Sequence, residues 1–215
     1  SPDQNTAFRP VSPYAAAKLY GYCITRICQK GYGLFACNGI LFNHESPLRG
    51  LEFVTRKITN SAVKIKLGIA KELVMGNLDA HRDWGYSPDF VRAMWLMLQQ
   101  DKPRDFIIST GESHSVREFC QEAFSILDLD YKDYVKQDPM FMRPCEVRYH
   151  KGDSKLAGAV LGWYPRVKFK ELVKIMVEAD YARWKDYLAG ERFAWDAPNY
   201  PDESRLLTKM SRMER

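Results

Sequence analysis

Apolar and polar positions follow two rhythms along this chain. Some blocks repeat every three or four residues, the period of a helix, and others are short apolar runs. SPYAAAKLYGY (12–22) opens the first helical block. Ser12 is placed to cap and Pro13 to occupy the first helical position, and the pattern carries on to about Lys30 before Gly31 and Gly33 end it. LFACNGILF (34–42) is a mostly apolar run, as expected of a strand buried on both faces in a parallel sheet. A helix followed by such a strand is half of a βαβ unit.

The polar loop NHESPLRG (43–50) comes next, then a helix expected over 55–67 with Gly68 as its stop, then a short strand over 72–75. GNLDAHRDWG (76–85) reads as a loop. Ser87 and Pro88 repeat the cap signature ahead of the amphipathic DFVRAMWLMLQQ, and DFIIST (105–110) reads as another strand. Ser115 with Glu118 makes a capping box that opens a helix to about Leu127. Residues 128–150 show no period. Asp153 is placed to cap a short helix over KLAGAVLG. A long helix is expected from Phe169 to Leu188, with Leu172, Ile175, Met176, Ala179 and Ala182 on its apolar face. From 191 to 215 the pattern stops, and the segment reads as an irregular tail. The alternation of helices and short strands predicts an α/β fold.

With 215 residues, 46% of them hydrophobic, the chain is long enough for a real core. No apolar stretch approaches the roughly 18 residues of a membrane span, and no secretion leader is visible. The net charge of +5 comes from scattered residues, 32 basic against 27 acidic. That gives no reason to expect nucleic acid, and it suits a phosphate-bearing small molecule. Cys23, Cys28, Cys37, Cys120 and Cys145 form no CxxC pair, and their odd number favours free thiols in a reducing cytoplasm. The four histidines are far apart and none sits in HExxH, so no metal site is expected.

Tyr14 and Lys18 lie four residues apart on one helix face. An ammonium beside a phenol favours the phenolate, which is how a tyrosine acts as a base near neutral pH. The same spacing also arises by chance as a tyrosine beside a solvated lysine, and the pair alone leaves both readings open. Other polar residues have equally plain alternatives. Asn43 could cap a turn, and His44 could be a loop histidine. Arg49, Lys57 and Arg143 could be surface cations, and Arg82 could pair locally with Asp83. Trp84 and Trp95 read as packing residues.

Seven stretches together carry a resemblance: SPYAAAKLYGY, LFACNGILFNHESP, FVTRKIT, GNLDAHRDWG, AMWLMLQ, STGESHSVREF and RPCEV. In this order they resemble the GDP-mannose 4,6-dehydratases, a group of the extended short-chain dehydrogenase/reductases. The resemblance runs from about residue 8 to about 180. It implies the C-terminal part of a Rossmann-type parallel sheet plus a smaller, mostly helical α/β substrate domain. Residues 1–43 and 81–110 would belong to the NADP-binding domain, and 44–80 and 111–190 to the nucleotide-sugar domain. The implied reaction dehydrates GDP-D-mannose to GDP-4-keto-6-deoxy-D-mannose, with NADP+ as the recycled hydride carrier. Tyr14 would be the base at the C4 hydroxyl and Lys18 its partner, both touching the cofactor. His44 and Arg49 would complete the NADP contacts. Asn43, Lys57, Arg82, Arg143 and Glu146 would hold GDP-mannose. The resemblance also implies a homo-oligomer, dimer or tetramer, built through the Tyr-Lys helix.

The sequence contains no GxGxxG, the turn that seats a dinucleotide pyrophosphate on a helix N-terminus. In the family that turn, a Ser/Thr and the Glu that removes the C5 proton precede the segment present here. The expectation is therefore the C-terminal part of such an enzyme, inactive alone. Ala15, Leu48 and Tyr86 stand where the family commonly has Gly, Arg and His. Two alternatives stay open: a non-catalytic remnant that binds GDP-sugar weakly or pairs with an intact subunit, and another nucleotide-sugar dehydratase or epimerase.

Overall fold

The computed structural model describes residues 6–141 and 149–191. In chain order the elements are α1 (Pro13–Gly31), β1 (Gly39–Leu41), β2 (Asn43–Glu45), α2 (Val54–Lys66), β3 (Leu73–Met75), β4 (His81–Arg82), β5 (Trp84–Tyr86) and α3 (Ser87–Leu98). They continue with β6 (Phe106–Ile108), β7 (His114–Ser115), α4 (Val116–Ser125), α5 (Tyr131–Tyr134), β8 (Val135–Gln137), a 3-10 turn (Pro139–Phe141), α6 (Lys155–Leu161) and α7 (Phe169–Leu188). The fold is α/β, with parallel strand pairs as expected. The described residues form two compact units. One draws on 6–44, 80–114 and 149–169, the other on 45–79, 115–141 and 170–191.

In the first unit β1 and β6 run parallel, Gly39 opposite Phe106 and Leu41 opposite Ile108. Phe90, Ala93 and Met97 of α3 pack with Phe106, Ile108, Ala157, Leu161 and Trp163 as one apolar cluster. Asp89 ties this cluster to the 163–167 loop. Its carbonyl accepts from Trp163 Nε1 at 2.8 Å, and its carboxylate accepts from the backbone N–H of Arg166 and Val167 at 2.7 and 3.0 Å. Gly85 is required by packing, because a Cβ there would lie 2.4 Å from the Phe90 ring.

In the second unit α2 packs on α4, and β3 runs parallel to β8. Ile58, Ala62 and Val63 of α2, Phe119 and Ala123 of α4, and Leu172, Val173, Met176 and Val177 of α7 are all buried. A polar network lies inside this apolar shell. Asp180 accepts from Arg56 Nε at 3.1 Å, Arg183 Nη1 at 3.1 Å and Thr59 Oγ1 at 2.6 Å, and Trp184 Nε1 donates to Asn60 Oδ1 at 2.6 Å.

Several expectations need correction. The expected strand over 34–42 shrinks to Gly39–Leu41, because its partner β6 is three residues long and Leu34 and Phe35 are exposed. Residues 131–137 are not irregular: Asp130 caps α5 through Lys132 N at 3.0 Å, and β8 then finds β3 as a partner far away in sequence. The loop over 76–85 contains β4 and β5. Tyr86 holds the N-cap position of α3 and Ser87 is already helical, although Pro88 sits in the first turn. Trp84 is buried as expected, whereas Trp95 is largely exposed. On α7 the buried stripe is Leu172, Val173, Met176, Val177, Asp180 and Trp184; Ile175 and Ala179 are half-buried and Ala182 is exposed. The expected grouping of 111–190 also splits, since 149–169 falls in the first unit, where α6 and Trp163 pack on α3 and β6. The expected tail from 192 onward lies outside the described residues. Cys23, Cys28, Cys37 and Cys120 are free thiols, and no described helix is long and apolar enough to cross a membrane.

Candidate active site

The Tyr-Lys pair sits at the start of α1. Ser12 Oγ accepts from Ala15 N at 3.1 Å and Pro13 follows, so one of the helix's orphan donors is satisfied where the pair begins. One turn apart, Lys18 Nζ lies 5.5 Å from the Tyr14 ring centroid. Tyr14 is 72% exposed, and no residue of α1 is buried. Contacts further along hold the helix: Gln29 Nε2 donates to the carbonyls of Ala36 and Pro103, and Asn38 Nδ2 to that of Tyr22.

Asn43 and His44 lie on β2, immediately after Phe42, whose N–H donates to Ile108 O at 2.9 Å. His44 Nδ1 is 3.0 Å from Phe42 O, which puts the proton of a neutral ring on Nδ1 and leaves Nε2 as an acceptor. The ring stacks on Phe90 with centroids 5.1 Å apart. Arg82 donates from Nη1 to His81 O at 2.8 Å. Asp83 is wholly buried and ties three loops together, accepting from Thr110 N and Oγ1, Gly111 N and Gly152 N. His150 lies beside this group. Burial first, and then the Arg82 charge, push its pKa down, while Asp83 pulls the other way.

The second unit carries Arg49 and Lys57. Arg49 Nε lies 3.2 Å from Glu45 Oε2, an ion pair in which the N–H is not aligned for a hydrogen bond. Its guanidinium carbon sits 3.5 Å from the Phe53 ring centroid. Its Nη groups have no acceptor among the described residues. Glu45, 2% exposed, also accepts from Thr55 Oγ1 at 2.6 Å. Burial raises its pKa against the pull of Thr55 and Arg49. Lys57 Nζ donates to Val74 O at 2.8 Å and lies 5.0 Å from the Phe141 ring centroid, and burial pushes its pKa down. The neighbouring Cys120 thiol is pushed up to about 12 by burial and is inert as a nucleophile.

The donor set fits a phosphate-bearing dinucleotide in part. In the first unit Lys18 is a cation with no carboxylate partner among the described residues; in the second, taken by itself, Arg49 has Nη donors with no acceptor among the described residues. The glycine-rich turn for the pyrophosphate is not supplied by this sequence. Among the described residues no three His, Cys, Asp or Glu converge as metal ligands.

The family described as GDP-mannose 4,6 dehydratase matches residues 2–176. The chain belongs to the GDP-mannose 4,6-dehydratase family. It is 53% identical over 177 residues to GDP-mannose 4,6 dehydratase 2 of Arabidopsis thaliana, covering 82% of this chain and 48% of that protein. It is 50% identical over 194 residues to GDP-mannose 4,6 dehydratase of Homo sapiens, covering 82% of this chain and 52% of that protein. The chain thus spans about half the length of the curated relatives it matches. The fold is also that of the solved structure of RMD from Pseudomonas aeruginosa complexed with NADPH, with a TM-score of 0.77 and 22% identity over 84% of this chain and 60% of that one. This is the Rossmann-type α/β architecture that the sequence led us to expect.

Of the candidate site residues that the resemblance implies, five lie in the first unit (Tyr14, Lys18, Asn43, His44 and Arg82) and two in the second (Arg49 and Lys57). Arg143 and Glu146 lie outside the described residues. Sequence reasoning missed Glu45 and Phe53, which hold Arg49, and the loop-tying part of Asp83. The signal for two of them was within reach, because Glu45 and Asp83 stand inside the quoted motifs NHESP and RDWG.

Proposed function

We infer that this chain carries part of the active site of an enzyme that dehydrates GDP-D-mannose to GDP-4-keto-6-deoxy-D-mannose. The observation that carries this reading is the family match over residues 2–176, supported by Tyr14 and Lys18 one turn apart on a capped helix. NADPH in the Pseudomonas neighbour supports a nicotinamide cofactor, NADP in this reading. Held by these residues, the cofactor would supply reversible hydride exchange with the sugar, taken from C4 and given back at C6 once water has been lost across C5 and C6. The Tyr14 oxygen takes the C4 hydroxyl proton, and the Lys18 ammonium beside its ring offsets the negative charge this chemistry needs on that oxygen. His44 and Arg49 contact the cofactor. Asn43, Lys57 and Arg82, with Arg143 and Glu146, hold the GDP-sugar, where Arg and Lys suit a diphosphate. A bound diphosphate would also favour the charged form of Lys57, which burial disfavours.

In this reading the first unit holds the remainder of the NADP-binding Rossmann domain, and the second unit holds most of the chain's share of the nucleotide-sugar-binding domain. The working protein is a cytoplasmic homo-oligomer paired through α1. The exposed Tyr20, Ile24 and Ile27 of α1 support that pairing, and they equally support a second reading, a non-catalytic chain that pairs with an intact subunit. The test uses a complete dehydratase carrying this segment, and the 215-residue chain alone. Tyr14→Phe is expected to lower turnover by about 10²–10⁴-fold with GDP-mannose binding retained. The 215-residue chain alone is expected to form no 4-keto product. Near-normal turnover in Tyr14→Phe would remove Tyr14 from its role. Turnover of UDP- or dTDP-sugars in preference to GDP-mannose would shift the reading to another nucleotide-sugar enzyme.

A further inference from the structure

Glu45 is an expensive residue for the place it occupies. A carboxylate that is 2% exposed loses almost all of its hydration, and its two described partners do not offset that loss, since burial still raises its pKa. A side chain kept at such a cost invites a role other than stability. What Glu45 touches is Arg49 on one side and Thr55 on the other. Thr55, wholly buried on α2, fixes the carboxylate. The carboxylate in turn holds Arg49 Nε at 3.2 Å, and Phe53 packs under the guanidinium at 3.5 Å. Arg56 Nη1 donates to the Arg49 carbonyl at 2.8 Å and fixes the backbone beneath it. The guanidinium is therefore held at its Nε edge, over its face and at its main chain, while its Nη groups have no acceptor among the described residues. An arginine so arranged is presented to an anion and loses little further freedom on binding one.

We propose that Glu45 is a positioning residue that, with Phe53, aims the Nη groups of Arg49 at a phosphate of the cofactor. This rests on the reading that Arg49 contacts that cofactor. The test measures NADP+ dissociation constants by calorimetry, without turnover, on a complete dehydratase carrying this segment. Wild type is compared with Glu45→Gln, Arg49→Ala, the double variant and Phe53→Leu. Glu45→Gln is expected to weaken NADP+ about 5- to 10-fold, as loss of an orienting charge pair does, with GDP-mannose affinity unchanged. In the double variant NADP+ should bind no more weakly than with Arg49→Ala alone, because both changes remove one interaction. The melting midpoint of Glu45→Gln should hold or rise at pH 7, since a buried charge has been neutralised. A merely structural glutamate would instead lower the midpoint. Phe53 is exposed, so Phe53→Leu should fold whether or not Glu45→Gln does, and it should weaken NADP+ in the same direction. If Arg49→Ala leaves NADP+ binding unchanged, the cofactor role of Arg49 falls and this proposal with it. If Arg49→Ala weakens binding while Glu45→Gln and Phe53→Leu do not, or if the Glu45 and Arg49 effects simply add, the positioning role alone is overturned.

Discussion

Helices α1 and α7 are nearly equal in length, 19 and 20 residues, and they handle their side chains in opposite ways. α7 buries Leu172, Val173, Met176, Val177 and Trp184 and places Asp180 among buried partners. α1 buries nothing, although Tyr14, Tyr20, Ile24 and Ile27 line it. The difference separates a helix fixed by its core from a helix fixed at its cap. A helix that spends its apolar face on a core is fixed by that core, and its polar groups are used internally. A helix whose side chains stay exposed, as Tyr14 and Lys18 do, has no core to fix it, so its start is fixed locally. In α1 that is done by Ser12 and Pro13, not by packing around Tyr14.

The largest expected effect lies on the α7 side. Asp180→Ala leaves the buried Arg56 guanidinium without its carboxylate and removes the acceptor of Thr59 Oγ1. The expected loss is about 3–5 kcal/mol, the usual cost of breaking one partner of a buried pair. Urea unfolding followed by circular dichroism would measure it. A loss below about 1 kcal/mol, the range of exposed pairs, would mean that this network is not the scaffold described here.

The middle effect belongs to α1. Ser12→Ala removes the side-chain acceptor for Ala15 N, and cap losses of this kind cost about 1 kcal/mol locally. Because no residue of the first turn is buried, the loss should appear as faster amide exchange at Ala15, with the global melting midpoint unchanged. Unchanged exchange at Ala15 would show that something other than the cap holds the Tyr-Lys turn, and would erase the contrast with α7.

What the sequence made legible follows the same divide. α1, α2, α4 and α7 were readable because their caps, stops and periods are local: Ser12-Pro13, Gly68 and the Ser115–Glu118 box act within a few residues of the helices they bound. Asp180 was not readable. An acid inside an apolar stripe becomes intelligible only once Arg56, more than a hundred positions earlier, is known to face it. β8 was missed for the same reason, since its three residues acquire strand character only from β3. The candidate site residues came from motif order, which names Arg49 but says nothing of the ring beneath it or the carboxylate beside it.

The smallest effect tests how the first unit handles a titrating group beside its own buried carboxylate. His150 lies near Asp83 and Arg82, with its ring 5.2 Å from that of Phe42, and burial with the Arg82 charge lowers its pKa from the ordinary value. A lowered histidine binds fewer protons folded than unfolded across the interval between its folded pKa and the unfolded value of about 6.5. Its contribution to stability is therefore complete above about 6.5 and is lost as pH falls through the folded pKa. The melting midpoints of wild type and His150→Gln should run parallel above that pH, and the wild type should fall more steeply below it. His150 is only half-buried, so solvent keeps the difference small. A wild type that gained stability relative to His150→Gln on acidification would mean that the Asp83 charge outweighs burial and Arg82. Asp83 would then act on the first unit as a charge partner, as Asp180 does on the second, and the contrast between the two interiors would narrow to the helices alone.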